Sequence, residues 1–460
     1  MQRFSAFYVL GLVLCVLSLS QGAAAQGFAV YEQSGCAMGR GVTGVAAPCP
    51  DGSAVFFNPA GLSFEKTQIG LGASFIGPFG NFTDNVTGQV SELNEHLYPV
   101  PNIFVSRPFG PRVAFGIGLF APYGLTTDWP ETSQGRFLGY KSVVQGVYTQ
   151  PTVAVKLNDK VSVGAGLDIV YLNVELRQRA DLSSQALGTT GLTFGQLNLV
   201  CPAAVCGTVP RGTDFADVRL KGNTISVGFH LGVLAKVNDR VSVGARYLGG
   251  QKVDLTDGTI ETTQISVPNV RVPLGATLVP VDTLMASQAF AAGRTLASGQ
   301  AAQTELPLPA QFVLGTALKV APKVTIFADY QFTNWSAFDV LPIEGEFLKS
   351  EIVENYNDTH GIRLGAEFDV HERVVLRAGF DGHNAAAPDE SVTPNLPEGK
   401  RTEYMGGVGV RLTPAMRLDL SYMRLLQPER AGRTGPEQFG NNGVYNFNAN
   451  LFGAMLSFQF

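Results

Sequence analysis

The chain has 460 residues and a formal net charge of −5 at neutral pH, with 45% hydrophobic and 15% charged residues. This balance argues against a disordered chain and against a nucleic-acid-binding protein, which needs a basic surface. After the N-terminus no apolar run reaches the roughly 20 residues of a membrane-spanning helix. A multi-span helical protein is therefore excluded, and the 53 glycines favour many strands.

The first residues have the composition of a secretory signal. Arg3 precedes an apolar stretch from Phe4 to Leu17, and three alanines ending at Ala25 supply the small residues of a cleavage site. We predict a signal peptide over residues 1–25, cleaved after Ala25, and export of the mature chain. A retained anchoring helix is the alternative, which the short apolar stretch disfavours.

Residues 26–65 differ in kind from the rest of the chain. They are rich in Gly and Ala and end in the turn-like run Asn58, Pro59, Ala60 and Gly61. We expect this segment to be compact and to precede the first strand without being a membrane strand.

Four cysteines remain in the mature chain, namely Cys36, Cys49, Cys201 and Cys206. An even number in an exported protein suggests disulfides, and short loop closure favours Cys36–Cys49 and Cys201–Cys206 among the three possible pairings. A zinc site is the competing interpretation, but a spacing of C-x₄-C without a nearby His is poor for ligation. We expect no metal and no cofactor.

Residues 66–460 are dominated by period-two alternation, which is typical of strands with two different faces. In residues 161–171 the apolar members of the alternation are Val161, Val163, Ala165, Leu167, Ile169 and Tyr171. Their neighbours are Ser162, Gly164, Gly166 and Asp168. One face is apolar and the other is small, polar or charged.

Short turns and long loops alternate between these strands. The six short turns are at Pro108–Pro111, Asn158–Lys160, Asn238–Arg240, Ala321–Lys323, Val370–Arg373 and Thr413–Ala415. The seven long loops are near residues 80–96, 122–141, 177–215, 256–305, 337–350, 384–399 and 428–444. This arrangement predicts fourteen strands with both chain ends on the short-turn side.

We therefore predict an all-β fold, a 14-stranded antiparallel transmembrane β-barrel over residues 66–460. A soluble sandwich or propeller explains the alternation but not the long loops on one side only. A barrel of this width cannot fill its own lumen, so residues 26–65 are expected to fold back as a hatch that plugs it. Phe460 ends an apolar-alternating strand, which is similar to the signal that barrel assembly machinery reads.

Several phrases of the chain are similar to one transporter family. In the N-terminal segment they are GFAVYEQSG (27–35), GRG (39–41), DGSA (51–54) and NPAGL (58–62). Further along they are GRF (135–137), QPTVAVK (150–156), LPLP (306–309), NWS (334–336), NYNDT (355–359) and RAG (377–379). The chain thus resembles the FadL-type outer-membrane transporters of long-chain fatty acids and aromatic hydrocarbons, although Cys36 and Cys49 look atypical for their hatch.

The resemblance implies passive uptake of hydrophobic small molecules or fatty acids across the bacterial outer membrane, whose lipid surrounds the barrel. It also implies release through a kink in the third strand, here Arg112 to Tyr123, and the candidate kink residues are Gly116, Gly118 and Pro122.

A capture groove between the third and fourth outer loops is a further implication. Both loops are too apolar for solvent-facing connections. The candidate groove residues are Leu192, Phe194, Leu197, Leu284, Met285 and Phe290. The alternative is that these side chains only pack the two loops into a cap.

If the solute is a fatty acid, its carboxylate needs a cation or several amide donors. Arginines with lumen-facing parity are Arg246, Arg363, Arg377, Arg411 and Arg417. Pairing with lumen acids is the simpler role for any one of them, and the sequence does not select a partner for the solute.

Two other functions compete with transport of hydrophobic solutes. A general porin predicts an unobstructed pore and polar loops. A barrel-embedded hydrolase predicts a catalytic triad, but none of the five His residues accompanies a GxSxG elbow or an HExxH motif. We therefore expect no enzymatic activity.

Overall fold

The computed structural model describes residues 27–432 and 440–460. The signal peptide predicted for residues 1–25 lies outside these residues. Within the described ranges no helix combines the length and apolarity needed to cross a membrane.

Helices are few and short. The α-helices are α1 (Gly35–Gly39), α2 (Ala54–Phe57), α3 (Ala203–Cys206) and α4 (Val281–Gln288). The 3₁₀ turns are Pro59–Phe64, Gln134–Phe137, Leu182–Ser184, Phe194–Leu199, Trp335–Ala337 and Asp389–Ser391.

Strands account for most of the described chain. The first eleven are β1 (Gln68–Asp84), β2 (Val90–Glu92), β3 (Tyr98–Phe109), β4 (Val113–Asp128), β5 (Lys141–Lys156), β6 (Val161–Asp181), β7 (Asp214–Lys236), β8 (Val241–Leu248), β9 (Gln251–Gln264), β10 (Arg271–Leu274) and β11 (Thr277–Pro280). The others are β12 (Gln300–Leu308), β13 (Gln311–Ala321), β14 (Val324–Thr333), β15 (Val340–Gly345), β16 (Lys349–Val353), β17 (Thr359–His371), β18 (Val374–His383), β19 (Arg401–Arg411), β20 (Met416–Leu426), β21 (Arg430–Ala431) and β22 (Gly443–Gln459).

The strands close into an antiparallel barrel of fourteen wall strands, which confirms the predicted fold class. Closure comes from β1 pairing with β22 along its whole length, from Gln68 opposite Gln459 to Asp84 opposite Gly443. Some wall strands consist of two consecutive segments, such as β8 with β9 and β12 with β13. Closure pairs the outer edges of the first and last wall strands with each other, because hydrocarbon does not tolerate unpaired strand edges.

All six predicted short turns connect neighbouring wall strands. The strands next to the longest loops extend further than the sequence predicted: β6 runs to Asp181 and β7 starts at Asp214, inside the loop predicted at 177–215. Likewise β9 extends to Gln264 and β12 begins at Gln300, so both strands reach into the predicted loop 256–305. Pairing of β6 with β7 over this extra length explains the difference, because continued ladder hydrogen bonds satisfy backbone groups that a loop would leave to water.

The two faces of the wall differ as predicted. In β6, Ser162 and Asp168 are fully buried, whereas Leu167 and Tyr171 are about half exposed. Other exposed apolar side chains on wall strands include Ile103, Phe115, Val153, Ile225, Phe229, Leu314, Ile326, Ile362, Leu376, Leu420 and Phe452. An apolar exterior of this kind suits lipid and keeps the charged side chains inside.

Residues 27–67, the N-terminal segment, lie against the inner face of the wall. Helix α1 contacts β18 to β20, β22 and β1, while the turn at Pro59–Phe64 contacts β3 to β7 on the other side. A disulfide joins Cys36 to Cys49, with their Cα atoms 6.2 Å apart. The segment is almost entirely buried, which matches its Gly- and Ala-rich composition.

Arg40 holds the middle of the N-terminal segment to the wall. Its guanidinium is 3.2 Å from the Glu367 carboxylate and stacks 4.2 Å from the ring centroid of Phe327. Its Nε donates to the Thr43 carbonyl at 3.0 Å. The wall accepts the backbone here because Gly365 and Gly379 have no side chain: a methyl group would overlap the Arg40 carbonyl at the first and the Gly41 nitrogen at the second.

We expect Gly379→Ala to displace the N-terminal segment without preventing closure of the barrel. Overpacking of this kind costs about 1–3 kcal/mol, so the temperature at which heat-modifiable gel mobility is lost should fall. Gly406→Ala is the matched control on the next strand, since its methyl would meet only the Arg377 carbonyl at 3.9 Å. Equal transition temperatures for the two variants would contradict this docking.

Candidate functional site

The third wall strand, β4, departs from regular pairing at Ala121 and Pro122. Its pairing with β3 ends at Leu119 opposite Ile103. Its register against β5 shifts between Phe120 and Tyr123, so β4 carries one extra residue there. This is a β-bulge, which bends a strand and interrupts its ladder.

Of the three kink residues predicted from the sequence, only Pro122 lies in this bulge. Gly116 and Gly118 sit below it in regular pairs, opposite Ser106 and Phe104. Their missing side chains make room for Leu62 at Gly116 and for aromatic rings at Gly118. Their roles are packing against the N-terminal segment and within the wall.

The neighbouring strand β3 contributes the other side of the interruption. Its first residues pair with β1, Pro99 opposite Phe75 and Pro101 opposite Ala73, but within the described residues they have no partner on β4. Proline occurs within strands mainly at edges, because it cannot donate to a ladder. Residues 98–102 of β3 and 120–126 of β4 therefore border a gap in the wall, which we call the wall gap.

The start of the N-terminal segment occupies the inner side of the wall gap. The Val30 N–H donates to the Pro122 carbonyl, and the Gly124 N–H donates to the Phe28 carbonyl, both at 2.8 Å. The Gln33 side-chain amide donates to the Ala121 carbonyl at 2.9 Å. Residues 27–33, the leading segment, thus satisfy the β4 backbone groups that the bulge removes from the wall ladder.

A cavity of about 430 Å³ adjoins the leading segment and the wall gap. It is lined by Phe28 to Val30, by residues 98–101 of β3 and by residues 123–126 of β4, and it reaches Gln145 and Val147 on the outer face of β5. Its lining is mostly apolar, and its size is within the range of small-molecule sites. A smaller cavity of about 60 Å³ lies beside it and shares Phe28, Leu125 and Val144 as lining residues.

One end of the larger cavity is polar, where Glu32, Arg401 and Glu403 line it. Arg401 donates to the Gly27 carbonyl at 3.0 Å and attracts Glu32, Glu398 and Glu403 electrostatically. Glu398 belongs to the loop before β19. Burial raises the pKa of its carboxyl above the usual range, against the opposing effect of Arg401 and of backbone N–H donors.

A network of buried side chains lies beside the cavity. Arg246 stacks 4.2 Å from the ring centroid of Phe56 and donates to the Gln311 side chain at 3.2 Å. Gln311 donates to the Tyr123 hydroxyl at 2.7 Å, and that hydroxyl donates to the Pro309 carbonyl at 2.5 Å. Four of these five residues are at most 3% exposed.

Most of the lumen arginines form ion pairs with acidic side chains, which is the simpler of the two roles considered for them from the sequence. Arg363 is 3.0 Å from Asp381, and Arg417 is 3.0 Å from Asp419. Arg377 lies between Glu367 and Asp419, at 2.7 Å from each. Arg411 is exposed at the short-turn end, and Arg246 has no ion-pair partner among the described residues.

The run Asn58 to Gly61 ties the N-terminal segment to the wall. The Asn58 side-chain amide donates to the carbonyls of Val45 at 2.7 Å and Val233 at 2.9 Å, and its oxygen accepts from the Ala60 N–H at 3.1 Å. Pro59 begins the 3₁₀ turn, and Ser162 of β6 donates to the Ala60 carbonyl at 2.7 Å. Each polar atom of Asn58 therefore has a structural partner.

Five of the six predicted groove residues, all but Leu192, lie in or against an apolar core shared by the third and fourth outer loops, which we call the loop cap. Phe194 and Leu197 are 1% exposed, and Leu284 and Met285 are 6–7% exposed. Phe290 packs at the rim, 6.0 Å from Phe215 between ring centroids, and Leu192 is partly exposed. A disulfide joins Cys201 to Cys206 in this cap. None of the predicted groove residues lines either cavity described above.

Two buried clusters were not found from the sequence. His230 bridges Asp168, at 2.6 Å from Nδ1, and Thr152, at 3.0 Å from Nε2. The order resembles a hydrolytic triad, but all three side chains are at most 3% exposed and the Thr152 hydroxyl also donates to the Gln150 carbonyl. The three residues lie on three different strands, so only their cross-strand register brings them together.

The second cluster consists of Asp381, His383 and Glu403, whose ligand atoms lie within 4.8 Å of one another. These residue types are able to ligate a transition metal. Arg363 already pairs with Asp381, so the cluster also has a structural explanation as part of the lumen ion pairs.

Comparison with known proteins supports the barrel and assigns it to a family. A sequence model described as "Outer membrane protein transport protein (OMPP1/FadL/TodX)" matches residues 16–460. Outer membrane protein P1 of Haemophilus influenzae is 22% identical, with 98% of each chain covered. The long-chain fatty acid transport protein of Escherichia coli O6:H1 is 25% identical, with 92% of each chain covered.

Solved structures of similar fold include a Pseudomonas aeruginosa FadL homologue, with a TM-score of 0.78, 20% identity and coverage of 95% of this chain and 100% of that one. The P. putida toluene transporter TodX has a TM-score of 0.65, 15% identity and coverage of 95% and 99%. Because the family match spans nearly the whole chain and the fold is the predicted barrel, this chain belongs to the OMPP1/FadL/TodX family of outer-membrane transport proteins.

Proposed function

We propose that this barrel carries hydrophobic small molecules inward across the outer membrane and releases them sideways through the wall gap. The observation that carries the proposal is the position of the leading segment, which borders the apolar cavity on one side and fills the β4 bulge on the other. Fatty acids and aromatic hydrocarbons are the candidate solutes, because related transporters are named for long-chain fatty acids and toluene.

In this proposal the N-terminal segment is the hatch. A water-filled bore does not help an insoluble solute, which needs an apolar route past the polar headgroups. A solute in the cavity already contacts Phe28, Ala29 and Val30, so a small displacement of these residues opens the wall gap to lipid. Movement down a gradient needs no energy source.

Capture at the loop cap is also part of the proposal. Phe194 and Leu197 of one loop share an apolar core with Leu284, Met285 and Phe290 of the other, so a capture groove requires the two loops to part. Their buried apolar surface would then become the first binding site. The disulfide Cys201–Cys206 keeps one side of that site compact while the loops move.

We expect a cross-link between the leading segment and β4 to stop uptake. Ala29 and Tyr123 form an antiparallel bridge flanked by the two backbone hydrogen bonds, a pair type whose Cα spacing of about 4.5 Å suits a disulfide. The variant Ala29→Cys with Tyr123→Cys should be inactive when oxidised and recover when reduced, as measured by uptake of labelled oleate and toluene in cells.

Each single cysteine variant controls for loss of the native side chain, and the reduced wild-type protein controls for loss of the native disulfides. Wild-type uptake through the oxidised double variant would exclude release by displacement of residues 27–33.

We expect Asn58→Ala to impair uptake while the barrel still assembles. The change removes the donor for two carbonyls and the acceptor for Ala60, and each buried group left unsatisfied costs about 1–3 kcal/mol. The readouts are solute uptake and heat-modifiable gel mobility. Asn173→Ala is the control, because Asn173 makes one exposed hydrogen bond to Gln145. Unchanged uptake in Asn58→Ala would contradict a role in transport for the hydrogen bonds of Asn58.

A further inference from the structure

Three side chains of different chemistry meet on the inner face of the wall, beside the polar end of the larger cavity. Asp381 and His383 belong to β18 and are two residues apart, so they lie on the same face of the sheet. Glu403 of β19 is directly opposite Asp381 in the strand register. One ligand atom from each of the three lies within 4.8 Å of the others. We call this group the β18–β19 cluster.

The cluster is buried, and its members do not hydrogen-bond to one another through His383 Nε2. Each side chain is at most 2% exposed. The Nε2 atom is 3.9 Å from an oxygen of Asp381 and 3.9 Å from Oε1 of Glu403, which is too far for a hydrogen bond. The Oε2 atom of Glu403 is buried and accepts no hydrogen bond from any described residue. Burial of a polar atom without a partner is costly, so Glu403 lacks a partner that its position requires.

The spacing of these atoms is close to that of a transition-metal site. A tetrahedral Zn²⁺ site, with bonds of about 2.0–2.2 Å to imidazole nitrogen and carboxylate oxygen, places its ligand atoms about 3.4 Å apart. The two distances of 3.9 Å exceed this spacing only slightly, so small side-chain rotations are enough to close them. A donor set that includes imidazole suits Zn²⁺ better than Mg²⁺ or Ca²⁺, which prefer oxygen ligands.

The surroundings of the cluster support ligation. Arg363 of β17 donates from Nε to Oδ2 of Asp381 at 3.0 Å and thereby orients that carboxylate. Ligating carboxylates are commonly held by hydrogen bonds of this kind from outer residues. Glu403 also lines the larger cavity, so a cation in that cavity can reach the cluster.

The charged groups nearby are balanced by one divalent cation. Those within electrostatic range of the cluster are Glu32, Glu398, Arg363 and Arg401. With Asp381 and Glu403 they make four carboxyl groups and two guanidinium groups. This set is neutral when two carboxyl groups are protonated, and also when all four are ionised around a divalent cation. Asp329, opposite Arg363 on β14, accepts instead from backbone N–H groups of the N-terminal segment.

We propose that Asp381, His383 and Glu403 bind one divalent transition-metal ion such as Zn²⁺, through Nε2 of the imidazole and one oxygen of each carboxylate. Three protein ligands leave a further coordination position for water. The ion joins β18 to β19 beside Arg401, which holds the Gly27 carbonyl of the leading segment.

The sequence did not predict this site. The expectation of no metal rested on the spacing of the cysteines, which form disulfides. His383 and Glu403 are far apart in the chain, and only the pairing of β18 with β19 brings them together.

The test measures Zn²⁺ binding to the intact, tag-free barrel in detergent after a chelator has removed bound metal. We expect isothermal titration calorimetry to give one ion per barrel, with affinity that falls as the pH is lowered, because protons compete for the ligands. Co²⁺ in place of Zn²⁺ should give the visible absorption of a four-coordinate site, and Mg²⁺ at equal concentration should not displace it. Absence of Zn²⁺ binding to the wild-type barrel would overturn the inference.

The variants His383→Gln and Glu403→Gln should each weaken Zn²⁺ binding at least about tenfold, since loss of an outer partner alone costs that much. His96→Gln is the matched control, because His96 is exposed in the loop before β3 and its loss should leave the affinity unchanged. Equal affinity in the wild type and in both cluster variants would mean an adventitious ion only, bound at surface histidines, and would contradict the site.

Heat-modifiable gel mobility checks the folding of each variant and gives a second readout. Zn²⁺ should raise the temperature at which the folded band of the wild type is lost, because a ligand of the folded state stabilises it. The cluster variants should show no such rise, and an equal rise in a folded variant would count against the inference. Should one variant not fold, the other decides. Solute uptake is not measured, so the result is independent of the proposed function.

Discussion

The structure depends on one constraint: at membrane depth every backbone N–H and carbonyl must find a partner within the protein, because hydrocarbon offers none. Pairing between neighbouring strands, completed by β1 with β22, meets this requirement around nearly the whole wall. The bulge in β4 is the place where the wall ladder alone does not, and there the leading segment supplies hydrogen bonds to Pro122 and Gly124. The interruption in the wall and the residues that complete it therefore form one unit.

Close contact between the N-terminal segment and the wall accounts for part of the high glycine content of the chain. A backbone segment lying flat against the inside of a strand needs positions without side chains, and the wall provides them at Gly365 and Gly379 where Arg40 and Gly41 pass. Hydrogen bonds from Asn58 and Ser162 then fix the other half of the segment. Abundant glycine is thus a property of the contact between segment and wall as well as of the strands themselves.

The sequence predicted the fold because barrel formation is governed by local periodicity. Alternation with period two gave the two faces, and short turns separated by long loops gave the strand number. The details of the site depend on cross-strand register, which no local pattern encodes. The bulge was expected from Gly116, Gly118 and Pro122, but only Pro122 lies in it. The better signal was the pair Pro99 and Pro101 on the facing strand, since two prolines inside a strand indicate an edge.

Cross-strand register also explains why the sequence did not predict the cluster of Asp168, His230 and Thr152. Asp168, His230 and Thr152 come from three strands and meet only because the pairing places them side by side. The candidate groove residues were selected for their apolar character, which does not distinguish the lining of a groove from the core of a cap. In this conformation all of them but Leu192 pack together in the loop cap.

Under the proposed function, solute binding and opening of the wall gap act on the same few residues. Phe28 and Val30 line the cavity, and their backbone groups hold β4. A solute shifts this equilibrium only by binding the displaced arrangement more tightly than the closed one. The free energy it must supply is modest, since each net hydrogen bond is worth about 0.5–1.5 kcal/mol and four join the leading segment to β4. Burial of a few apolar carbons, at about 0.8 kcal/mol for each CH₂ group, is enough to offset that sum. An apolar chain can therefore displace the leading segment without any coupled energy source, whereas a small polar molecule gains too little in the same cavity to do so.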